Sequence, residues 1–337
     1  MSKFSLEVLE RCVFPFVHTD DPDVALGASF GEDVALTRVG GDVLASHVDP
    51  IVGAIGDIGR LAVHVACNDV AAAGIPPRWI QILVLVPRAR DEDLLERIMR
   101  DIAAAAAEID VSIVGGHSGY SDGLRRPLVA VTAFGTASGR QPVRTHGARP
   151  GDRLLVTKGI ALEGTAILAR DFRDVALDLG LSEDEIESGR RVLGQVSAVP
   201  EALALASHGA TAMHDVTRGG LLETLIEIAL LSEVGIELEF ARLPIPETVS
   251  RFAQAFAFDP LRMISSGTLA ATIAADRVEA ASRALADLGT PCSLVGEVVE
   301  GSGVRVAREG ETTRYTEVRC EEDELARMWS LYPRGST

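Results

Sequence analysis

The segment His214-Asp215-Val216-Thr217-Arg218-Gly219-Gly220 opens a helical pattern whose apolar positions are Leu221, Leu222, Leu225, Ile226, Ile228 and Ala229. Paired glycines at a helix N-terminus leave main-chain N–H groups open beside the positive end of the helix dipole, which favours an anion. Asp215 or Thr217 reads equally as the helix N-cap, the plainer role. A short loop holding His, Asp, Thr, Arg and two glycines is nevertheless rich for a cap alone. A second loop, Ile264-Ser265-Ser266-Gly267-Thr268, reads as a facing wall or simply as a turn.

The surrounding chain has 337 residues, with 32 basic and 49 acidic side chains and a formal charge of -17. Such length suits two ordinary domains. Hydrophobic residues at 47% and charged residues at 24% describe a packed chain rather than a disordered one. The acidic excess argues against nucleic acid and anionic membrane surfaces, which need clustered Lys and Arg. Cys12, Cys67, Cys292 and Cys320 show no CxxC spacing, so neither a disulfide framework nor a thiolate zinc site is indicated. No signal peptide and no membrane-length apolar run are visible, and a cytoplasmic location is expected. Only Lys3 and Lys158 are lysines, so a lysine inside a motif stands out.

Turn-rich Gly147–Asp152 divides the chain into residues 1–148 and 149–337. Before it, Val34–Thr37 and Val43–Val48 flank Gly40-Gly41-Asp42 as a hairpin, with Asp49-Pro50 ending the second strand. Asp57 would cap a helix from Ile58 to Ala73, stopped by Gly74 and Pro76-Pro77. Strand-like Ile80–Val86, a helix over Glu92–Glu108, and strands Val111–Val114 and Leu128–Phe134 follow. After it, strand-like Arg153–Thr157 comes first. Ser182–Glu185 spells a capping box and Asp276–Glu279 its Asp-led version, the latter between strands Thr268–Ala274 and Ser293–Val299. Hairpins among alternating helices and strands point to mixed α+β sheets. Neither GxGxxG nor GxxxxGK[ST] occurs.

Three more clusters carry candidate chemistry. Asp33, Asp49 and Asp69, with Asn68 beside the last, are carboxylates and an amide of the kind that holds Mg²⁺ against phosphate oxygens. Taken singly, Asp33 and Asp49 read as turn residues and Asn68 as a helix's polar face. Gly115-Gly116-His117 follows a strand, where glycines let main-chain N–H groups approach phosphate closely; an ordinary turn is the alternative. Lys158, between a strand and Gly159 and ahead of Glu163-Gly164-Thr165, would act as a point charge on phosphate or lie on the surface.

In this order the segments resemble the superfamily of aminoimidazole ribonucleotide (AIR) synthetase, selenophosphate synthetase, thiamine-monophosphate kinase and the hydrogenase-maturation protein HypE. The resemblance runs from about Gly27 to Gly303 and rests on five motifs. These are Gly31-Glu32-Asp33-Val34-Ala35, Val48-Asp49-Pro50, Gly56-Asp57-Ile58-Gly59-Arg60-Leu61-Ala62, Asn68-Asp69-Val70-Ala71 and Asp215-Val216-Thr217-Arg218-Gly219-Gly220-Leu221. The hydrogenase-maturation branch is the most similar.

The resemblance implies a two-domain, PurM-like α+β fold. Its N-terminal mixed sheet would form a barrel across a homodimer, and its C-terminal half an α/β sandwich. It implies ATP with Mg²⁺ on Asp33, Asp49 and Asp69, with Asn68, Gly115, Gly116, His117, Lys158, Arg218, Gly219 and Gly220 around the phosphates. Asp69, Lys158 and Asp215 would be catalytic. The implied activity is ATP-dependent activation of a small-molecule oxygen by phosphoryl transfer, with a maturation-protein partner. His117 stands where relatives commonly carry Asp. The maturation branch also ends in a reactive cysteine, whereas the nearest here is Cys320, so a free small-molecule substrate is expected. A thiamine-monophosphate-type kinase and a non-catalytic nucleotide-binding assembly factor are the alternatives.

Overall fold

Glycine and proline punctuation cuts the chain into short β-rich runs and amphipathic stretches, which the computed structural model gathers into two sheets covered by helices. It describes residues 4, 6–17, 20–51, 56–319 and 323–332. The first sheet contains β1 (Val24–Leu26), β2 (Ala35–Val39), β3 (Asp42–Ile51), β4 (Pro77–Val86), β5 (Ser112–Tyr120) and β6 (Leu128–Thr136). Their order is β1-β2-β3-β6-β4-β5. Helices α1 (Leu6–Cys12), α2 (Ile58–Ala72) and α3 (Glu92–Glu108) accompany it. The β2–β3 hairpin closes with Val39 opposite Asp42, and Gly40 and Gly41 supply the positive φ angles such a turn requires. The β4–β5 pair is parallel, so the chain must cross over between them, and α3 makes that crossing.

The second sheet holds β7 (Arg153–Thr157), β8 (Ala210–Asp215), β9 (Gly235–Glu239), β10 (Leu269–Ile273), β11 (Cys292–Val299), β12 (Gly303–Arg308) and β13 (Glu311–Tyr315). Its order is β13-β12-β9-β11-β7-β10-β8. Around it lie α4 (Leu162–Asp171), α5 (Arg173–Asp178), α6 (Glu183–Arg191), α7 (Val199–Ser207), α8 (Gly220–Leu231), α9 (Glu247–Phe256), α10 (Val278–Asp287) and α11 (Glu324–Leu331). The architecture is therefore mixed α+β with two sheets, as the hairpins suggested. The first sheet is open, with β1 and β5 at its edges, so no closed barrel forms among the described residues. No helix there is long and apolar enough to cross a membrane.

Helix α2 joins the two halves. Every residue of Ile58–Ala72 except Arg60 is buried, which an amphipathic surface helix cannot achieve. It packs on β3, β6 and α3 on one side and on α7 and β8 on the other. One buried cluster consequently runs from Val34 to Met328, across the turn at Gly147–Asp152. A second fills the space between α8 and strands β7, β9, β11 and β12.

Several local expectations change. Val111–Val114 does not end before Gly115-Gly116-His117: the strand β5 runs through them to Tyr120, exposed along the sheet edge. β5 bulges at Val114, where the pairing jumps from Ile80–Ile113 to Gln81–Gly115. Gly116 has φ +149°, and a Cβ there would lie 1.9 Å from the Ile82 carbonyl oxygen. Close strand approach, rather than a phosphate-binding turn, accounts for that glycine. The strand β3 continues through Asp49-Pro50 to Ile51. Proline is tolerated because β2 pairs with β3 only as far as Ser46, leaving that edge without a hydrogen-bond acceptor to satisfy.

Asp57 precedes α2 in a left-handed conformation without capping it, its carboxylate paired instead with Arg170. The Ser182–Glu185 capping box forms as read. The Asp276 version does not, because a 3-10 turn over Ala275–Arg277 replaces the first helical turn.

Gly116→Ala is expected to destabilise the protein by about 1–3 kcal/mol, the usual cost of a side chain forced into a sparsely populated conformation. Urea unfolding monitored by circular dichroism measures it; an unchanged midpoint would contradict the bulge account.

Candidate active site in the cleft between the two sheets

A cavity of about 710 Å³ opens between the first sheet and the second half. Its first wall is the edge of β3 left uncovered beyond β2, with the preceding Gly27–Ala35 segment. Strand periodicity turns Ala45, His47, Asp49 and Ile51 to one face and leaves Val48 and Pro50 more exposed, and β3 lines the cavity from Ser46 to Ile51. Asp33, Asp49 and Asp69 all line the cavity, but they do not form a close ligand set: among the described residues only Asp33, His214 and Asp215 bring ligand atoms within 4.8 Å of one another. The opposite wall carries Glu163 and Ile167 of α4, His214, Thr217, Arg218, Glu227 of α8, and Ile264 and Ser266.

Histidines bridge several of these acids. His47 Nε2 lies 3.4 Å from Asp69 Oδ2, and its Nδ1 hydrogen-bonds the Asp33 carbonyl. His214 Nε2 lies 3.1 Å from both Asp33 Oδ1 and Glu227 Oε2, while its Nδ1 donates to the Asp215 carbonyl at 2.6 Å. Burial alone would lower the His214 pKa. Asp33, Glu227 and Asp215 outweigh it and raise the value to about 10, leaving an imidazolium that fixes the two carboxylates. Ligand atoms of Asp33, His214 and Asp215 lie within 4.8 Å of one another. A protonated imidazole donates rather than ligates, so a cation would first have to displace its proton.

Glu163 differs from these acids. It is buried and forms no ion pair among the described residues, and Oε2 accepts the Ser266 N–H at 3.3 Å. Burial, the largest influence, pushes its pKa up to about 7 against the pull of Ser266 and Arg218, and Asp49 adds to the rise. A carboxyl that changes protonation near neutrality inside a cleft is suited to general acid–base work.

The remaining expected residues are placed differently. Lys158 is not on the cavity wall. Its ammonium donates to the carbonyls of Gln195 (3.1 Å), Gly267 (3.2 Å) and Ser197, and pairs with Glu201 at 2.5 Å. These partners occupy the cation within the fold. Asn68 uses both ends of its amide on main chain, Nδ2 donating to Val196 O (2.8 Å) and Oδ1 accepting from Ala198 N–H (2.7 Å). Asp215 is fully buried behind His214.

Gly219 itself takes the N-cap position of α8, with no side-chain cap, so neither Asp215 nor Thr217 fills that role. The Gly219 N–H donates to Asp323 Oδ2 at 3.3 Å, so the anion at this helix start is a carboxylate of the chain itself. Gly115, Gly116 and His117 lie on the exposed edge strand, away from this wall. Cys67 is buried, and burial followed by Asp69 pushes its thiol up to about 12, so it stays protonated. Cys320 lies outside the described residues.

Sequence reading had not assigned His47, Glu163 or Glu227 to a site. The alternation of β3 pointed to His47, on the same face as Asp49. Glu223 and Glu227, acids on an otherwise apolar helix, were a further signal.

Residues 31–137 match the family model of the AIR synthase related protein N-terminal domain, and residues 149–309 that of its C-terminal domain. The chain belongs to the AIR synthase related family. Carbamoyl dehydratase HypE of Cupriavidus necator is 32% identical over 263 residues, spanning 76% of this chain and 72% of its own length. A crystal structure of the hydrogenase maturation protein HypE in complex with ATP is similar with a TM-score of 0.70 and 25% identity, over 89% of this chain and 91% of that one. Thiamine-monophosphate kinase of Stenotrophomonas maltophilia superposes with a TM-score of 0.68 and 27% identity, over 87% and 93%. These matches agree with the superfamily read from the five motifs.

The Glu163 environment sets a sign for pH dependence. A carboxyl at 4.5 when unfolded and about 7 when folded costs nothing below pH 4.5, and stability falls as pH rises through 7. At about 1.4 kcal/mol per unit, the permanently neutral Glu163→Gln is expected to be about 3 kcal/mol more stable than the parent at about pH 8, and no more stable at about pH 4.5. Urea midpoints at the two pH values test this; equal midpoints at the higher pH would contradict it.

Proposed function

We propose that this chain is an ATP- and Mg²⁺-dependent enzyme that activates an oxygen of a free small molecule by phosphoryl transfer. The observation that carries the reading is the two-walled cleft, with Asp33, Asp49 and Asp69 on one side and Arg218 and Glu163 on the other. Phosphoryl transfer needs little covalent chemistry from the protein, which must position the reactants and balance developing charge. Three carboxylates on one cavity wall are a hard-oxygen donor set, which fits Mg²⁺ better than a softer metal. Asp33, Asp49 and Asp69 would hold it, and it would supply charge neutralisation to the phosphate oxygens. Arg218 faces the same space and would offset negative charge on the transferred group. His214, fixed between Asp33 and Glu227, keeps two of the acids aligned rather than repelling.

The ATP complex of HypE, on the same fold, supports nucleotide as the ligand. A division into domains at 148/149, a homodimer closing the open sheet into a barrel, a maturation-protein partner and a cytoplasmic location belong to the same proposal. The exposed apolar side chains Val48, Ile113 and Val114 on that sheet are consistent with a second copy covering it.

Mg·ATP at about a hundredfold excess over its dissociation constant is expected to stabilise the protein by about 2.7 kcal/mol, read as a rise in melting temperature, with ATP alone giving less. Asp69→Asn should remove most of the Mg²⁺-dependent part. Phosphorus NMR of the products then separates phosphate on an organic acceptor, as a kinase would leave it, from free phosphate. A folded protein whose melting temperature ignores Mg·ATP would contradict the proposal, and binding without turnover would favour the assembly factor.

A further inference from the structure

Glu163 occupies the second position of α4, a helix start laced tightly to the 264–268 loop. The Leu162 N–H donates to Ser265 Oγ at 3.0 Å, and the Gly164 N–H to the Ile264 carbonyl at 3.0 Å. Gly164 permits this approach, since a Cβ there would fall 2.2 Å from the Met263 sulfur. The Ser266 N–H then holds one carboxyl oxygen of Glu163 from the same loop. The side chain is thus fixed by main chain, and it still lines the cavity opposite the acidic wall.

The other acids of that cavity with assigned partners are held by histidines. Glu32 pairs with His146, Asp33 and Glu227 with His214, and Asp69 with His47. Glu163 has no such pairing among the described residues. The charged groups acting on it are Arg218, from the loop before α8, and Asp49, on β3. A buried carboxyl without a cationic partner costs stability when ionised, and functional sites are where such costs are kept.

We infer that Glu163 is the proton acceptor of the transfer reaction, and that the acceptor substrate presents a neutral, proton-bearing oxygen such as a hydroxyl rather than an anionic phosphate or carboxylate. This rests on the nucleotide-dependent reading above. In the step, the Glu163 carboxylate takes the hydroxyl proton as the substrate oxygen forms a bond to the γ-phosphorus of the nucleoside triphosphate. The bond between that phosphorus and the β–γ bridging oxygen breaks, and its electron pair leaves on the nucleoside diphosphate. The proton then passes from Glu163 to water. An anionic acceptor has no proton to lose and would gain nothing from a base, and a second negative group would meet repulsion from Asp49 and Glu163.

Water is itself a neutral, proton-bearing acceptor, so Mg·ATP hydrolysis by the full chain probes the step. Wild type should show a kcat that rises with pH around neutrality. Glu163→Gln should lower kcat by about 10²–10⁴-fold and abolish that rise, with KM for ATP changed by less than about threefold. Glu163→Asp, which keeps the carboxyl but shortens its reach, should keep a pH-dependent limb at intermediate kcat. A merely structural Glu163 would shift melting temperature and leave the pH profile intact in both variants. Retention of wild-type kcat and pH profile by Glu163→Gln would overturn the inference. So would wild-type protein that binds Mg·ATP without hydrolysing it at any pH, although nucleotide binding would survive. Wild-type protein that neither binds nor hydrolyses Mg·ATP would overturn both.

Discussion

The two halves are held in register by a polar clasp around residues 195–198. From one side Asn68 of α2 grips the main chain at Val196 and Ala198. From the other, Lys158 grips Gln195 and Ser197, with Gly267 drawn in beside them. A Cβ at Gly267 would sit 2.2 Å from the Gln195 carbonyl oxygen, so the strands of chain here are in direct contact. Asn68 is fully buried, and each main-chain group it releases would be left unsatisfied at about 1–3 kcal/mol. The cleft inherits its shape from this clasp. α2 also carries Asp69 to the cavity, and Gly267 fixes the neighbouring Ser266, which holds Glu163.

The same physics explains how charge is divided across the cleft. On the first wall, His47 pairs with Asp69, and the His214 imidazolium pairs with Asp33. On the second wall, Arg218 lines the cavity without an ion pair among the described residues, and Glu163 is buried with a raised pKa. A ligand with concentrated negative charge is accommodated by such an arrangement only if a metal balances the first wall. The overall charge of -17 therefore does not conflict with a small polyanionic ligand; it makes the few placed cations decisive.

Much of this was legible in the sequence, and the parts that were not share a cause. The hairpin at Gly40-Gly41, the capping box at Ser182 and the placing of Asp33, Asp49 and Asp69 along one cavity follow from local turn chemistry or from motif order. Asn68 and Lys158 read in sequence as residues around the phosphates, but the partners they meet lie more than thirty residues away, at Gln195–Ala198, where no local pattern points. Gly115-Gly116 has the composition of a phosphate loop, and only the register of β5 against β4 reveals a bulge. Gly219-Gly220 does begin a helix, yet the anion it meets is Asp323, about a hundred residues on. Glycine pairs report close approach; what approaches is decided by tertiary structure.

The most direct test of this account is a crystal structure with Mg²⁺ and a non-hydrolysable ATP analogue. Electron density for the metal is expected against Asp33, Asp49 and Asp69, with the γ-phosphate between that wall and Arg218 and with Glu163 facing it. Phosphates bound instead along Gly115–His117, or beside a Lys158 released from Glu201, would contradict it.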